Sequence, residues 1–271
     1  MTKKDNLRIT VGRLTVLLVV LVFIVASCAK KTPKQQESSK NGQQKNAQKQ
    51  DSPKQAPSGK ETAGAPAGKE SMVPIDIKLP ARVFEGTPEP ANVPNLEKPL
   101  GKDRPPFLAP AGTKNVALGK PVTSSDPEPI IGELEIVTDG DKEAADGSFV
   151  ELGPFKQHVT IDLGTECEIY AIVVWHYHMQ ARVYFDVIVQ VSNDPEFVNG
   201  VVTVFNNDID NSSGMGIGKD KHYVETNEGK LIDCISQGPV KGRYVRLYSN
   251  GNSTDQQNHY TEVEVYGKPV K

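Results

Sequence analysis

The chain has 271 residues with 31 Lys and Arg against 34 Asp and Glu, a formal net charge of −3, and 37% hydrophobic residues. The charge is divided unevenly: residues 1–72 are basic, whereas 113–271 carry 13 basic against 24 acidic side chains, a net of −11. So acidic a C-terminal part excludes a basic nucleic-acid-binding face on it, and a single long apolar run excludes a multi-pass membrane protein.

Lys3, Lys4, Arg8 and Arg13 precede the apolar run from Leu14 to Val25, followed by Ala26, Ser27 and Cys28. A run of about twelve residues is short for a span of roughly 30 Å, and a basic start with a short apolar middle describes an export signal over residues 1–28. Val25-Ala26-Ser27-Cys28 resembles a bacterial lipobox, which implies lipidation of Cys28 and attachment by acyl chains. The alternative is an uncleaved signal anchor. No Val, Ile, Leu or aromatic residue occurs between Ala29 and Ser71, so 29–72 reads as a disordered spacer with too little apolar surface to offset its ordering entropy. Residues 73–112 contain nine prolines but also Ile75, Ile77, Leu79, Val83, Phe84, Phe107 and Leu108. Proline excludes helix and central strand, which leaves an extended arm lying along a surface, with an edge strand expected at Ile75–Leu79.

From residue 113 the hydrophobic period is two. Val159, Ile161 and Leu163 alternate with polar residues, as do Val187, Val189 and Val191 with Asp186 and Gln190. Ile169–Trp175 is almost continuously apolar, the pattern of a strand covered on both faces. Val201–Phe205, Tyr244–Tyr248 and Glu262–Tyr266 complete the set, with Gly, Asn, Asp and Pro between them. Short strands and turn chemistry predict an all-β sandwich or barrel.

The segments 115–122 (NVALGKPV), 138–141 (TDGD), 159–164 (VTIDLG), 189–194 (VQVSND), 242–247 (GRYVRL) and 262–267 (EVEVYG) occur in this order. Together they resemble the discoidin, or coagulation-factor type-C, domain, whose bacterial members include family 32 carbohydrate-binding modules. The resemblance spans about 113–268. It implies an antiparallel galactose-binding-like jelly roll with ligand loops at one end. It also implies a structural calcium site where the Asp139-Gly140-Asp141 loop meets the last strand, using Asp139, Asp141, the Thr261 carbonyl and the Glu262 carboxylate. Six to eight hard oxygen ligands are what Ca²⁺ requires. Ala144, Ala145 and Asp146 stand where the family often has a Thr, and an ordinary acidic turn is the bland alternative.

A sugar site needs planar donors and acceptors with an aromatic face. His176, His178, Arg182, Asn250, Asn252 and His259 are the candidate ligand contacts, with Trp175, Tyr177, Gln180, Tyr184 and Tyr260 nearby in sequence. Val187 stands where galactose-binding relatives place an Asn, and core packing is the competing role for Trp175. His176 and His178 would share a strand face, but a zinc site needs a third ligand. The loop from Asn206 to His222 gathers Asp208, Asp210 and three glycines without an EF-hand pattern. With Cys28 lipidated, an exported domain favours a disulfide between Cys167 and Cys234; two buried free thiols are the alternative.

No nucleophile motif or phosphate-cradling turn is present. The expected function is a non-catalytic, lipid-anchored recognition module of the bacterial cell envelope, on the outer rather than the inner membrane, with carbohydrate as partner. The other reading is a structural or adhesive lipoprotein that binds an envelope protein.

Overall fold

A computed structural model describes residues 70–83, 92–236, 238 and 240–271. The export signal, Cys28, the spacer through residue 69 and Phe84 lie outside the described residues. Among those described, no helix is long and apolar enough to cross a membrane.

The fold is an antiparallel β-sandwich with one 3₁₀ turn, Leu134–Thr138. In chain order the strands are β1 (Met72–Pro74), β2 (Leu108–Pro110), β3 (Lys114–Asn115), β4 (Val122–Ser124), β5 (Val150–Leu152) and β6 (Gln157–Trp175). They continue with β7 (Ile188–Ser192), β8 (Val202–Asn206), β9 (Lys230–Asp233), β10 (Val240–Ser249), β11 (Asn258–Tyr260) and β12 (Glu262–Pro269). The periodicity expected β6, β7, β8, β10 and β12 within a few residues. It missed β9 and the two- or three-residue strands β1 to β5 and β11, which are too short to show a period.

Strand β6, 19 residues long, organises the sandwich. Its first half pairs with β4 and β10, and β10 continues to β7 and β8. Its second half pairs with β12 and β9, and β12 continues to β3. Between the halves, at Gly164 (φ 81°), β6 turns from one layer into the other. β10 shifts register there, between Gly242 and Tyr244, and β12 shifts further along β6, opposite Tyr170, between Tyr266 and Gly267. A Cβ on Gly242 would stand 2.5 Å from Val191 Cγ1, and one on Gly267 would stand 2.6 Å from the Glu168 carbonyl oxygen. Close backbone approach at the corner therefore demands glycine.

The core lies between the layers. Val159, Ile161 and Leu163 from the first half of β6 share one cluster with Ile172 and Val174 from the second, together with Val245 and Val263. Ala171, Val173 and Trp175 point the other way. With Tyr266 they form a second apolar cluster on the outer face, against which Ile75, Ile77, Phe107 and Leu231 pack. The arm thus covers a sheet face instead of extending a sheet edge. The expected edge strand at Ile75–Leu79 is absent: β1 pairs with β2 just before it. Ile75 and Ile77 turn to the sheet, while Leu79 is 46% exposed.

The expected disulfide is also corrected. Cys167 and Cys234 are buried free thiols. Cys234 N–H donates to the Tyr170 carbonyl, which places Cys234 opposite Tyr170, and three residues of strand from there to Cys167 span about 10 Å. That exceeds the roughly 7 Å Cα separation that a disulfide bridges. Burial pushes the Cys234 thiol up to about 12, so it is an inert core residue.

Candidate functional site

The loops that follow β6 and β10 meet at one end of the sandwich and are laced together by backbone bonds. Phe185 N donates to Gly251 O, Asn250 N to Phe185 O, and Ser253 N to Val183 O, at 2.8–3.1 Å. The ribbon of β5 and β11 closes this end and sets Glu151 opposite His259.

Five of the six sequence-predicted contacts are buried, and Asn250 is half-buried. His176 is fully buried, stacked on Tyr184 with ring centroids 4.3 Å apart, and its Nδ1 lies 2.6 Å from Oε1 of the equally buried Glu225. His178 donates from Nε2 to the Lys142 carbonyl at 2.8 Å. Both are pillars of the loop end, and among the described residues neither belongs to a group of three His, Cys or acidic side chains close enough to share a metal; that grouping occurs at Asp186, Asp208 and Asp210. Asn250 donates to Asp186, and Asn252 donates to Asp255 while its Oδ1 accepts from the amides of Thr254 and Asp255. These asparagines build the loop through Asx-type bonds. Trp175 is fully buried and donates from Nε1 to the Asn227 carbonyl at 2.9 Å, so its role is packing.

Arg182 and His259 are buried too, at 8% and 4% exposure, but they touch more accessible neighbours. Arg182 donates from Nη1 to Asp255 at 3.0 Å and from Nη2 to Gln180 at 3.2 Å. Its guanidinium lies 4.8 Å from the Tyr177 ring centroid, and its buried Nε–H has no partner. His259 Nδ1 meets the Tyr184 hydroxyl at 3.0 Å, and its Nε2 lies 3.4 Å from Glu151 Oε2. Burial, reinforced by the Arg182 charge, pushes His259 down to about 4, so it is neutral at pH 7. Burial, then the neighbouring Asp255, raises the Glu151 pKa against the pull of Arg182. Tyr177, Glu151 and Asp255 are half-buried and Gln180 is exposed. Planar donors, two carboxylates and an aromatic edge therefore converge at the solvent boundary. Glu151 and Asp255 carried no motif; only the β5–β11 register and the zipped loops bring them to Arg182.

At the expected calcium site, Glu262 is fully buried. Its Oε2 accepts from Gly140 N–H at 3.1 Å and its Oε1 has no partner. Burial pushes its pKa up to about 9, opposed by that hydrogen bond and by Lys142, and the Asp139 charge adds to the rise. An orphaned buried carboxylate oxygen beside an acidic loop suits a cation. Asp139 is exposed and accepts the Asp141 amide. Asp141 fits less well: its two oxygens accept from the Glu143 amide and the Ser148 hydroxyl. Thr261 hydrogen-bonds through its hydroxyl to the His176 carbonyl, tying this site to the loop end.

In the 206–222 loop, the carboxylates of Asp186, Asp208 and Asp210 lie within 4.8 Å of one another. Their oxygens already accept from Ser212, Ser213 and Asn250. Burial opposes ionisation of Asp208, but the bonds from Ser213 and Ser212 prevail and lower its pKa.

No protein-family model and no curated protein matches the sequence. Among solved structures, the chain is similar to the CBM32 of AlyQ in complex with 4,5-unsaturated mannuronic acid, at 23% identity over 54% of this chain and 92% of that one, with a TM-score of 0.39. It is similar to chitosan-binding module 1 of a chitosanase/glucanase from Paenibacillus sp. IK-5, at 21% identity over 57% and 99%, TM-score 0.39. A third is the fucolectin from Morone saxatilis (striped bass) serum, at 19% identity over 58% of this chain and 50% of that one, TM-score 0.40.

Proposed function

We propose that the protein is a non-catalytic carbohydrate-binding module held at the bacterial cell envelope by lipid on Cys28, on the outer membrane. The reading rests on one observation: Arg182, Gln180, Asp255, Glu151 and Tyr177 converge, partly solvated, where loops from both layers meet. Sugar hydroxyls are donors and acceptors at once, and fixed carboxylates, amides and guanidinium groups address them with defined geometry. The zipped loops hold these groups before a ligand arrives, which lowers the ordering cost of binding.

A glycan array with the full chain in detergent tests this reading. Glu151→Gln and Gln180→Ala should each weaken a positive signal by about tenfold, as expected for lost hydrogen bonds to a bound ligand. An array on which no glycan is retained, with a crosslinked envelope protein recovered instead, would establish the adhesive reading. That alternative draws on the extent to which Arg182, Asn252 and Asp255 already satisfy one another.

The calcium reading is carried by Glu262, with Asp139 and backbone carbonyls as companions. The ion would hold Glu262 ionised and join the 139–148 loop to β12. EDTA should then lower Tm by several degrees through linkage; an unchanged Tm, with no calcium in the purified protein, removes the ion from the account.

A further inference from the structure

A second concave surface lies away from the loop end, where the arm meets the segment before β9. Its cleft of about 680 Å³ is walled by 96–104 on one side and 223–231 on the other, a size within the range of small-ligand pockets. Neither wall stands alone. Glu97 N donates to the His222 carbonyl at 2.8 Å, and Asn95 donates to the Asp220 carbonyl at 3.1 Å. Nearer the sheet, Asn227 donates to the Pro80 carbonyl at 3.1 Å. The arm is therefore a built wall.

The charge of this cleft opposes that of the domain. Arg82, Lys98, Lys102, Arg104 and Lys230 line it, against Glu97, Asp103 and Glu228. The acids are engaged: Arg82 pairs with Asp103, Lys230 with Glu97 at 2.8 Å, and Glu228 accepts the Arg104 amide at 3.3 Å. Two positive charges remain in excess, on a chain whose residues 113–271 sum to −11. Lys98 and Lys102 stand exposed on the arm. Arg104 is half-buried and anchored through one bond, Nη1 to the Gly229 carbonyl at 3.1 Å. The rest of its donor fork is open to an acceptor, and a guanidinium fork matches a carboxylate or phosphate in two-point geometry. Leu96, Leu100, Tyr223 and Leu231 supply apolar wall beside it.

We propose that this cleft is a second ligand site, for a sugar bearing an oxyanion, either a uronate carboxylate or a phosphate ester. Arg104 receives the oxyanion, Lys98 and Lys102 add charge at the rim, and the apolar wall takes the ring. The site is independent of the one at the loop end, so either can fail without the other.

The test is calorimetric titration of the full chain in detergent with trigalacturonate, glucose 6-phosphate and neutral trigalactose. Binding of one or both anionic probes is expected, which also tells the carboxylate source from the phosphate source. Raising salt from about 20 to 300 mM should weaken it severalfold through screening. Arg104→Gln should weaken it roughly tenfold or more, as loss of a charge-assisted bond does. The exposed pair Lys98→Gln/Lys102→Gln should weaken it by about fivefold with Tm unchanged, which guards against misfolding of the Arg104 variant. The proposal is overturned if neither anionic probe binds at low salt, or if the lysine pair and Arg104→Gln both bind the anionic probes like the wild type.

Discussion

The two halves of β6 belong to one strand and yet obey different rules. Along 157–163 the outward side chains are His158, Thr160 and Asp162, which face partners on the polar side of a layer: Arg246 donates to Thr160, and Arg243 forks onto Asp162 at 2.7 and 2.8 Å. Along 169–175 the outward side chains are Ala171, Val173 and Trp175, all fully buried. The difference lies in what covers them. Arginine side chains and solvent share the cover of the first half, and the proline-rich arm covers the second through Ile75, Ile77 and Phe107. A sheet face is thus made apolar by a distant segment with almost no regular structure of its own.

The sharpest way to break this contrast is Trp175→Ala. Removing a fully buried indole, with its bond to Asn227, should cost about 3–5 kcal/mol in urea unfolding. A loss under about 1 kcal/mol would mean that the outer face is not a second core. Next, Ile77→Ala combined with Phe107→Ala uncovers the same face from the arm side and should cost about 2–3 kcal/mol, with new binding of an apolar dye. An unaltered unfolding midpoint would show that the arm only rests on the sheet. Gly229→Ala asks whether the cover is close-packed. Its Cβ would meet the Trp175 ring at 2.7 Å at φ +62°, so a cost of about 1–3 kcal/mol is expected.

Acid should act on the first half. Burial, then the charges of Arg246 and Lys156, pushes His158 down from 6.5 to about 4. The unfolded chain therefore binds more protons between these values. The stability contributed is complete above about pH 6.5 and is lost as pH falls toward about 4. His158→Gln should flatten the fall in urea midpoint between pH 7.5 and 4.5; equal falls in variant and wild type would refute this role. The smallest effect is expected from Asp162→Ala, which breaks a partly exposed ion pair worth less than about 1 kcal/mol. A loss as large as that of Trp175→Ala would erase the distinction between the two faces.

Much of this was legible in the chain before folding. Alternation at Val159, Ile161 and Leu163 against continuity at Ile169–Trp175 already announced one covered face and two, because a strand's side chains simply alternate. The interspersed Ile75, Ile77 and Phe107 marked the arm as a surface-lying segment. The candidate site was only half legible. Arg182 and His259 were named with His176 and His178, but polar residue type does not reveal that all four are buried or which of them touch accessible neighbours. Glu151 and Asp255 gave no signal, since neither lies near Arg182 in sequence. The cysteine pair misled for a related reason: parity constrains pairing, and only strand register shows that Cys234 falls opposite Tyr170.

The sequence by itself determined the class of fold, the main strands and the division of charge and composition into a basic N-terminal part, a proline-rich arm and an acidic remainder, because these follow from local periodicity, composition and turn chemistry. Tertiary structure alone decided which face the arm covers, which histidines are sealed inside, and which charges meet at the two concave surfaces. Those depend on contacts between residues up to about two hundred positions apart, and no short-range pattern encodes such meetings.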